Sequence, residues 1–159
     1  ALAEGIGERL TPLYTPAGIY VTVIKPAYGV STKEVYEEID KRLSEEFDGH
    51  PPVDEMLSIL EEMEQNGETP ALDEALIGTI GNVLSLVTEE KLPELAHLRR
   101  DLLAAGARGA LMSGSGPTVF GLFTDKEKAR GAAEKLKELH PDMYVHVAGF
   151  VSGGVAQDE

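Results

Sequence analysis

Cysteine is absent from the 159 residues. That excludes disulfides and thiolate-bound metals, and it agrees with a reducing compartment. Long apolar runs are absent too, since none approaches the roughly 20 residues that a membrane-spanning helix needs. The N-terminus lacks the charged-then-apolar pattern of a secretory leader, so the expected location is the cytoplasm, with no membrane partner. Basic residues are scarce, 14 against 28 acidic ones, for a net charge of −14. No Lys/Arg cluster exceeds two adjacent residues, and so acidic a surface repels phosphate backbones, so nucleic acid is excluded as a partner. A local loop of backbone amides can still hold a small anion against that field. Catalytic signatures are missing as well. There is no Walker-type phosphate loop and no Ser/His/Asp nucleophile arrangement. The four histidines, His50, His97, His140 and His146, share no ligand spacing. The expectation is therefore no catalytic residue and no metal site in this chain.

What is present reads as one α+β domain, long enough to bury roughly two thirds of its unfolded surface without staples. Residues 1–13 read as a short hairpin turning at Gly5-Ile6-Gly7. Because Ala1-Leu2-Ala3-Glu4 opens inside an apparent strand, the chain reads as a piece of a longer protein. The β-branched run Ile19 to Ile24, bounded by Pro26 and Gly29, predicts a buried central strand. Ser31-Thr32-Lys33-Glu34 is a capping box, followed by a helix with Val35, Ile39 and Leu43 on one stripe. A second helix runs from Val53 to Gln65 with Met56, Leu57, Leu60 and Met63 inward, stopped by Asn66-Gly67. Thr69-Pro70 predicts the start of a third helix, whose apolar face runs from Leu72 through Leu76, Ile80 and Leu84 to Val87. A fourth begins near Pro93 and ends at Gly106. Two strands, 109–113 and 117–123, flank a glycine loop. A second capping box, Thr124 to Glu127, opens a helix with Ala129, Ala133 and Leu136 inward, ended by His140-Pro141. Met143 to Val151 predicts the last strand, and a loose Gly- and acid-rich tail follows. This order is the split βαβ, ferredoxin-like arrangement with inserted helices.

Three features can carry chemistry. In Ser113-Gly114-Ser115-Gly116 the glycines permit positive φ and close approach to a ligand, and the amides and hydroxyls can converge on an anion. A strand follows it, so it is no dinucleotide fingerprint; an ordinary antiparallel connection is the competing explanation. Thr32 and Tyr36 lie one turn apart on one helix face, where Tyr36 either stacks on a planar ring or packs. Lys25, just past the central strand, either meets an anion or is solvated. The acid pairs Glu37-Glu38, Glu45-Glu46 and Glu61-Glu62 read as solvated helix faces.

Four segments in order carry a resemblance to the GHMP family of small-molecule kinases: Ala3 to Pro12; Lys25-Pro26 with Gly29-Val30-Ser31-Thr32 and Val35-Tyr36; Gly81-Asn82; and Gly109 to Phe123. The last resembles the family's third conserved motif, the glycine-rich loop of its C-terminal domain. Within the family the chain is most similar to the branch that uses ATP to phosphorylate the 2-hydroxyl of a cytidine-diphosphate methylerythritol, in non-mevalonate isoprenoid biosynthesis. The resemblance implies that Tyr36 stacks on the cytosine ring with Thr32 nearby. It also implies that Ser113, Gly114, Ser115 and Gly116 lie beside the phosphate site. It makes residues 1–13 remnant strands of an N-terminal domain and residues 14–159 the ferredoxin-like C-terminal domain.

The family's N-terminal ATP-binding domain, with its Pro-x-x-x-Gly-Leu-Gly-Ser-Ser phosphate loop, Lys and catalytic Asp, is not in this sequence. ATP with Mg2+ is therefore expected in the full-length enzyme, with none bound by this chain alone, which is expected to be inactive. The partners implied are the small-molecule substrate and the missing domain, whose removal exposes a surface that permits self-association. The family's acidic pair after the asparagine is absent, since Val83 and Ser85 follow Asn82. The alternatives are a stand-alone ferredoxin-like module that binds a small effector, and the matching half of another GHMP kinase such as homoserine or mevalonate kinase.

Overall fold

The structure, a computed structural model, describes residues 1–15, 18–43, 49–66, 72 and 74–150. A two-stranded hairpin, β1 (Leu2–Glu4) and β2 (Arg9–Thr11), pairs Ala3 with Leu10. The domain proper consists of β3 (Tyr20–Lys25), α1 (Thr32–Arg42), α2 (Val53–Asn66), α3 (Glu74–Thr79), α4 (Ser85–Lys91), α5 (Glu94–Ala104), β4 (Gly109–Met112), β5 (Val119–Phe123), α6 (Lys126–Leu139) and β6 (Tyr144–Gly149). Four strands form one sheet in the order β4-β5-β3-β6, every neighbouring pair antiparallel. That is the ferredoxin-like order. The expected central strand is interior: β3 is hydrogen-bonded on both sides, by β5 and β6. No helix among the described residues is long and apolar enough to cross a membrane.

Side chains alternate across the pleat, so each strand feeds two different cores. On one face Ile24, Met112, Val119 and Val145 pack against α1, α4, α5 and α6 through Val35, Ile39, Val87, Leu95, Leu98, Leu102 and Leu136. Thr22, on the same strand, is buried there and donates its hydroxyl to the Ala129 carbonyl at 2.8 Å, tying β3 to α6. On the other face Leu122 and Ile19 meet Met63 of α2 and Leu76 of α3. The hairpin belongs to neither core. Ile6 is 99% exposed and Leu10 65% exposed, and a lone two-stranded hairpin is marginal in water.

Two expectations about helices are corrected. The apolar face from Leu72 to Val87 does not form one helix; α3 ends at Thr79 and α4 begins at Ser85. At the break, a Cβ on Gly81 would come 2.7 Å from Pro51 Cγ, so Pro51 packs where a side chain would stand. The neighbouring Asn82 uses its carboxamide on distant backbone rather than on a helix turn. The cap of α6 is Asp125 rather than Thr124: its carboxylate accepts from Lys128 N–H at 2.8 Å. The α1 cap is as expected, with Ser31 Oγ accepting from Glu34 N–H at 3.3 Å. Asp125→Ala should therefore lower stability by about 1 kcal/mol, a fall in Tm of roughly 2–4 °C, and Thr124→Ala by much less. Thermal melts of the two variants check the order.

The start of the third helix at Thr69-Pro70, the Gly67 stop, the pair Glu45-Glu46 and the tail from Val151 lie outside the described residues.

Candidate functional site

The residues singled out in the sequence gather at one end of the sheet. Ile24, near the end of β3, pairs with Val119 at the start of β5, and Lys25 pairs with Tyr144. The loop joining β4 to β5 and the N-terminus of α1 therefore project from the same edge. β5 begins at Val119, later than expected, because Thr118 O closes the loop by accepting from Ser113 N–H at 2.8 Å and Pro117 has no N–H to give a ladder. Inside the loop Gly116 N–H donates to Ser113 O at 3.0 Å. Gly114 and Gly116 both take positive φ, 55° and 83°. A Cβ on Gly116 would also stand 2.7 Å from Met112 Sδ, so glycine is required there twice over.

The structure brings Thr32 to the loop: its Oγ1 and Ser115 Oγ lie 2.8 Å apart. A second hydroxyl grips the same serine from the opposite helix. Thr88 of α4, 1% exposed, donates to Ser115 O at 3.1 Å. Arg42 braces the two helices against each other, holding Glu38 at 3.1 Å within α1 and Glu90 of α4 at 2.5 Å. The hydrogen bond from Arg42 keeps the Glu38 carboxyl below its ordinary pKa. The connection into α1 is fixed as well, because the Tyr28 hydroxyl donates to Glu94 of α5. Burial first, and then that carboxylate, push the Tyr28 phenol above its ordinary pKa, so it stays a neutral donor.

Tyr36 is one turn beyond Thr32 on α1 and 52% exposed, outside the buried face formed by Val35 and Ile39. Lys25 is exposed at the sheet end, beside Asp142 and Tyr144. Among the described residues, the amides of Gly114 and Ser115 have no hydrogen-bond partner, while those of Ser113 and Gly116 are used within the loop. The open side of Gly114, where a Cβ would meet nothing within 4 Å, lies next to them.

Two residues of this site carry no role in the sequence reading. Thr88 sits on a face whose period marks it only as buried. Asn82 was visible as part of a Gly-Asn pair, but not what it holds: its Nδ2 donates to Met112 O and Gly114 O, both at 2.8 Å, and its Oδ1 accepts from Leu84 N–H at 3.0 Å. The histidines are structural where their contacts are defined. His140 ends α6 and lies 2.9 Å from Asp101 of α5, and His146 stacks on Tyr144. Among the described residues no group of three or more His, Asp or Glu gathers to hold a metal ion.

An apolar cavity of about 320 Å³ opens on the other face of the sheet, lined by Leu13, Ile19, Met56, Leu60, Phe120 and neighbouring side chains. Among the described residues of its lining, Tyr14 and Thr15 carry the polar side chains and the rest are apolar, a poor match to the converging donors that orient a nucleotide. The loop end of the sheet has them.

A family profile described as "GHMP kinases C terminal" matches residues 49–142, more than half of the chain. Among curated proteins, the 4-diphosphocytidyl-2-C-methyl-D-erythritol kinase of Alkaliphilus metalliredigens is 37% identical over 145 residues, 91% of this chain and 46% of that protein. The protein of the same name from Geobacter metallireducens is 40% identical over 151 residues, 95% of this chain and 48% of that protein. A solved structure of a 4-(cytidine 5'-diphospho)-2C-methyl-D-erythritol kinase superposes with a TM-score of 0.65 at 33% identity, covering 92% of this chain and 48% of that one. The homoserine kinase of Cytophaga hutchinsonii superposes with a TM-score of 0.64 at 21% identity, a likeness of fold alone. This chain spans about half the length of the curated relatives it matches. The antiparallel sheet, the glycine loop and the profile match agree: the chain belongs to the GHMP kinase family, and it corresponds to that family's C-terminal region.

Proposed function

We propose that this chain is the substrate-side half of an ATP-dependent kinase that phosphorylates the 2-hydroxyl of 4-diphosphocytidyl-2-C-methyl-D-erythritol, a step of non-mevalonate isoprenoid biosynthesis. The observation that carries the proposal is the meeting of Thr32 with Ser115 at 2.8 Å, with the exposed ring of Tyr36 one turn away. One edge thus offers a flat aromatic surface for a base and, beside it, free amides and hydroxyls for phosphate. Tyr36 is assigned to the cytosine and Thr32 to the adjoining part of the substrate. Ser113, Gly114, Ser115 and Gly116 are assigned to the phosphate side, facing a small anionic ligand, with neither a membrane nor a nucleic acid as partner.

ATP, when bound, supplies the γ-phosphoryl group. The free amides of Gly114 and Ser115 fit one flank of a phosphate chain. Mg2+ and the catalytic side chains are assigned to an N-terminal domain outside these residues, because phosphoryl transfer needs charge neutralisation this edge does not gather. Residues 1–13 are assigned to that domain's sheet and residues 14–159 to the ferredoxin-like domain, which is consistent with the exposure of Ile6 and Leu10.

Titrating cytidine diphosphate into the ¹⁵N-labelled chain should move the amides of Thr32, Tyr36 and residues 113–116, and homoserine should move none of them. Shifts with homoserine and none with cytidine diphosphate would overturn the substrate assignment. The chain alone, given ATP and substrate, should show no turnover; measurable turnover would overturn its assignment as half of a site.

A further inference from the structure

We infer that Asn82 is the positioning residue of the glycine loop: its carboxamide decides which way the unused amide of Ser115 faces, beside that of Gly114. The inference rests on the kinase reading only for what those amides meet; the positioning itself rests on geometry. Asn82 spends both of its side-chain donors and its acceptor oxygen on backbone of two different segments. Both Nδ2 hydrogens go to carbonyls of the loop strand, Met112 O and Gly114 O, and Oδ1 takes Leu84 N–H beside the start of α4. Those partners also settle the orientation of the amide, since carbonyls need the nitrogen and Leu84 N–H needs the oxygen.

A trans peptide points its C=O and its N–H in opposite directions, and the Gly114–Ser115 bond is trans, since the one cis bond of the loop is Gly116–Pro117. Holding Gly114 O inward against Asn82 therefore turns Ser115 N–H outward. The next peptide is held the same way by Thr88 on Ser115 O, and its N–H closes the loop on Ser113 O. Glycine at 114 would otherwise let that peptide flip at little cost. No other side chain of this size offers two donors and one acceptor at its tip. Aspartate keeps the acceptor and loses both donors, and leucine keeps the shape and loses all three bonds.

The break between α3 and α4 acquires a purpose from this arrangement. An uninterrupted helix would carry residue 82 with its backbone hydrogen-bonded in the helix and Leu84 N–H already paired at i−4. Opening the helix there frees Leu84 N–H as the third partner that orients the amide.

The test is backbone NMR on the 159-residue chain with Asn82→Asp, which keeps an acceptor for Leu84 N–H, removes the two donors and sets a carboxylate oxygen against the two carbonyls. The expected result is changed shifts and couplings at Gly114, Ser115 and Gly116, and exchange of the Gly116 amide faster by about ten-fold, the factor produced by losing one ordinary hydrogen bond in a local opening. Amides of α5 and of the sheet should keep their wild-type positions. A residue that merely ends a helix would instead move α4 and the melting temperature and leave the loop alone. Should the carboxylate prevent folding, Asn82→Ala removes all three bonds without adding a charge, and the same loop amides are read. Loop amides that match wild type in the folded variant overturn the inference. A disturbed loop in the variant, together with a wild-type chain that cytidine diphosphate leaves unmoved, upholds the positioning role and overturns the kinase reading instead.

Discussion

Replacing Tyr36 with alanine is expected to weaken cytidine diphosphate binding by about 5- to 150-fold, the factor equivalent to the ~1–3 kcal/mol that a base stacked on an aromatic ring contributes. The fold should hardly notice. Tyr36 stands on the outer side of α1, whose buried contacts are Val35 and Ile39. Exposed substitutions of that kind stay within about 0.5 kcal/mol, or roughly 2 °C in Tm for a chain of this length. Tyr36→Phe should bind as wild type does, because the ring rather than the hydroxyl is the assigned contact. Isothermal titration of the three proteins, with a melt of each, separates the alternatives. Equal affinity in the alanine variant would remove Tyr36 from the site, whereas weak binding by both variants would assign the hydroxyl.

Phe123→Ala should have the opposite profile, a large loss of stability with the site intact. Phe123 is 1% exposed and fills the space between β5 and the alanine face of α6, against Ala129 and Ala132. Alanines on the facing helix cannot extend to occupy the space left, so both the transfer and the cavity terms apply, about 3–5 kcal/mol together. Against the roughly 5–15 kcal/mol that domains possess, that is a substantial part, and it corresponds to a Tm lower by roughly 6–20 °C. Phe123 pairs with Tyr20 at the start of β3, whereas the loop adjoins the other end of that strand, where Ile24 pairs with Val119. The folded fraction should thus bind cytidine diphosphate with unchanged affinity. Urea unfolding followed by titration well below the midpoint checks both halves. A loss below about 1 kcal/mol would mean that the core closes over the deletion.

Much of this architecture is legible locally. Ser31 three residues before Glu34, the β-branched run of β3 and the alanine stripe of α6 are short-range patterns, and short-range physics satisfies them in place. The failures share a cause. Hydrophobic period continues from Leu76 across Ile80 to Leu84 and Val87, so it cannot register a break at which the distant Pro51 stands where a side chain on Gly81 would be. The α6 cap shows the same limit on a smaller scale. Thr124 and Asp125 are both good caps, and where the chain leaves β5 decides between them.

The site divides in the same way. Composition and order alone determined that a glycine loop joins two strands, that Thr32 and Tyr36 share a helix face, and that neither disulfides nor an apolar membrane-length segment are present. Those properties depend on residue type and on neighbours a few positions apart. That Thr32 meets Ser115, that Thr88 holds the same serine from behind, and that Asn82 clasps the loop were decided only by the tertiary structure. Their partners lie 83, 27, and 30 and 32 residues away. Contacts over such separations exist only once the sheet order β4-β5-β3-β6 has brought the loop between α1 and α4.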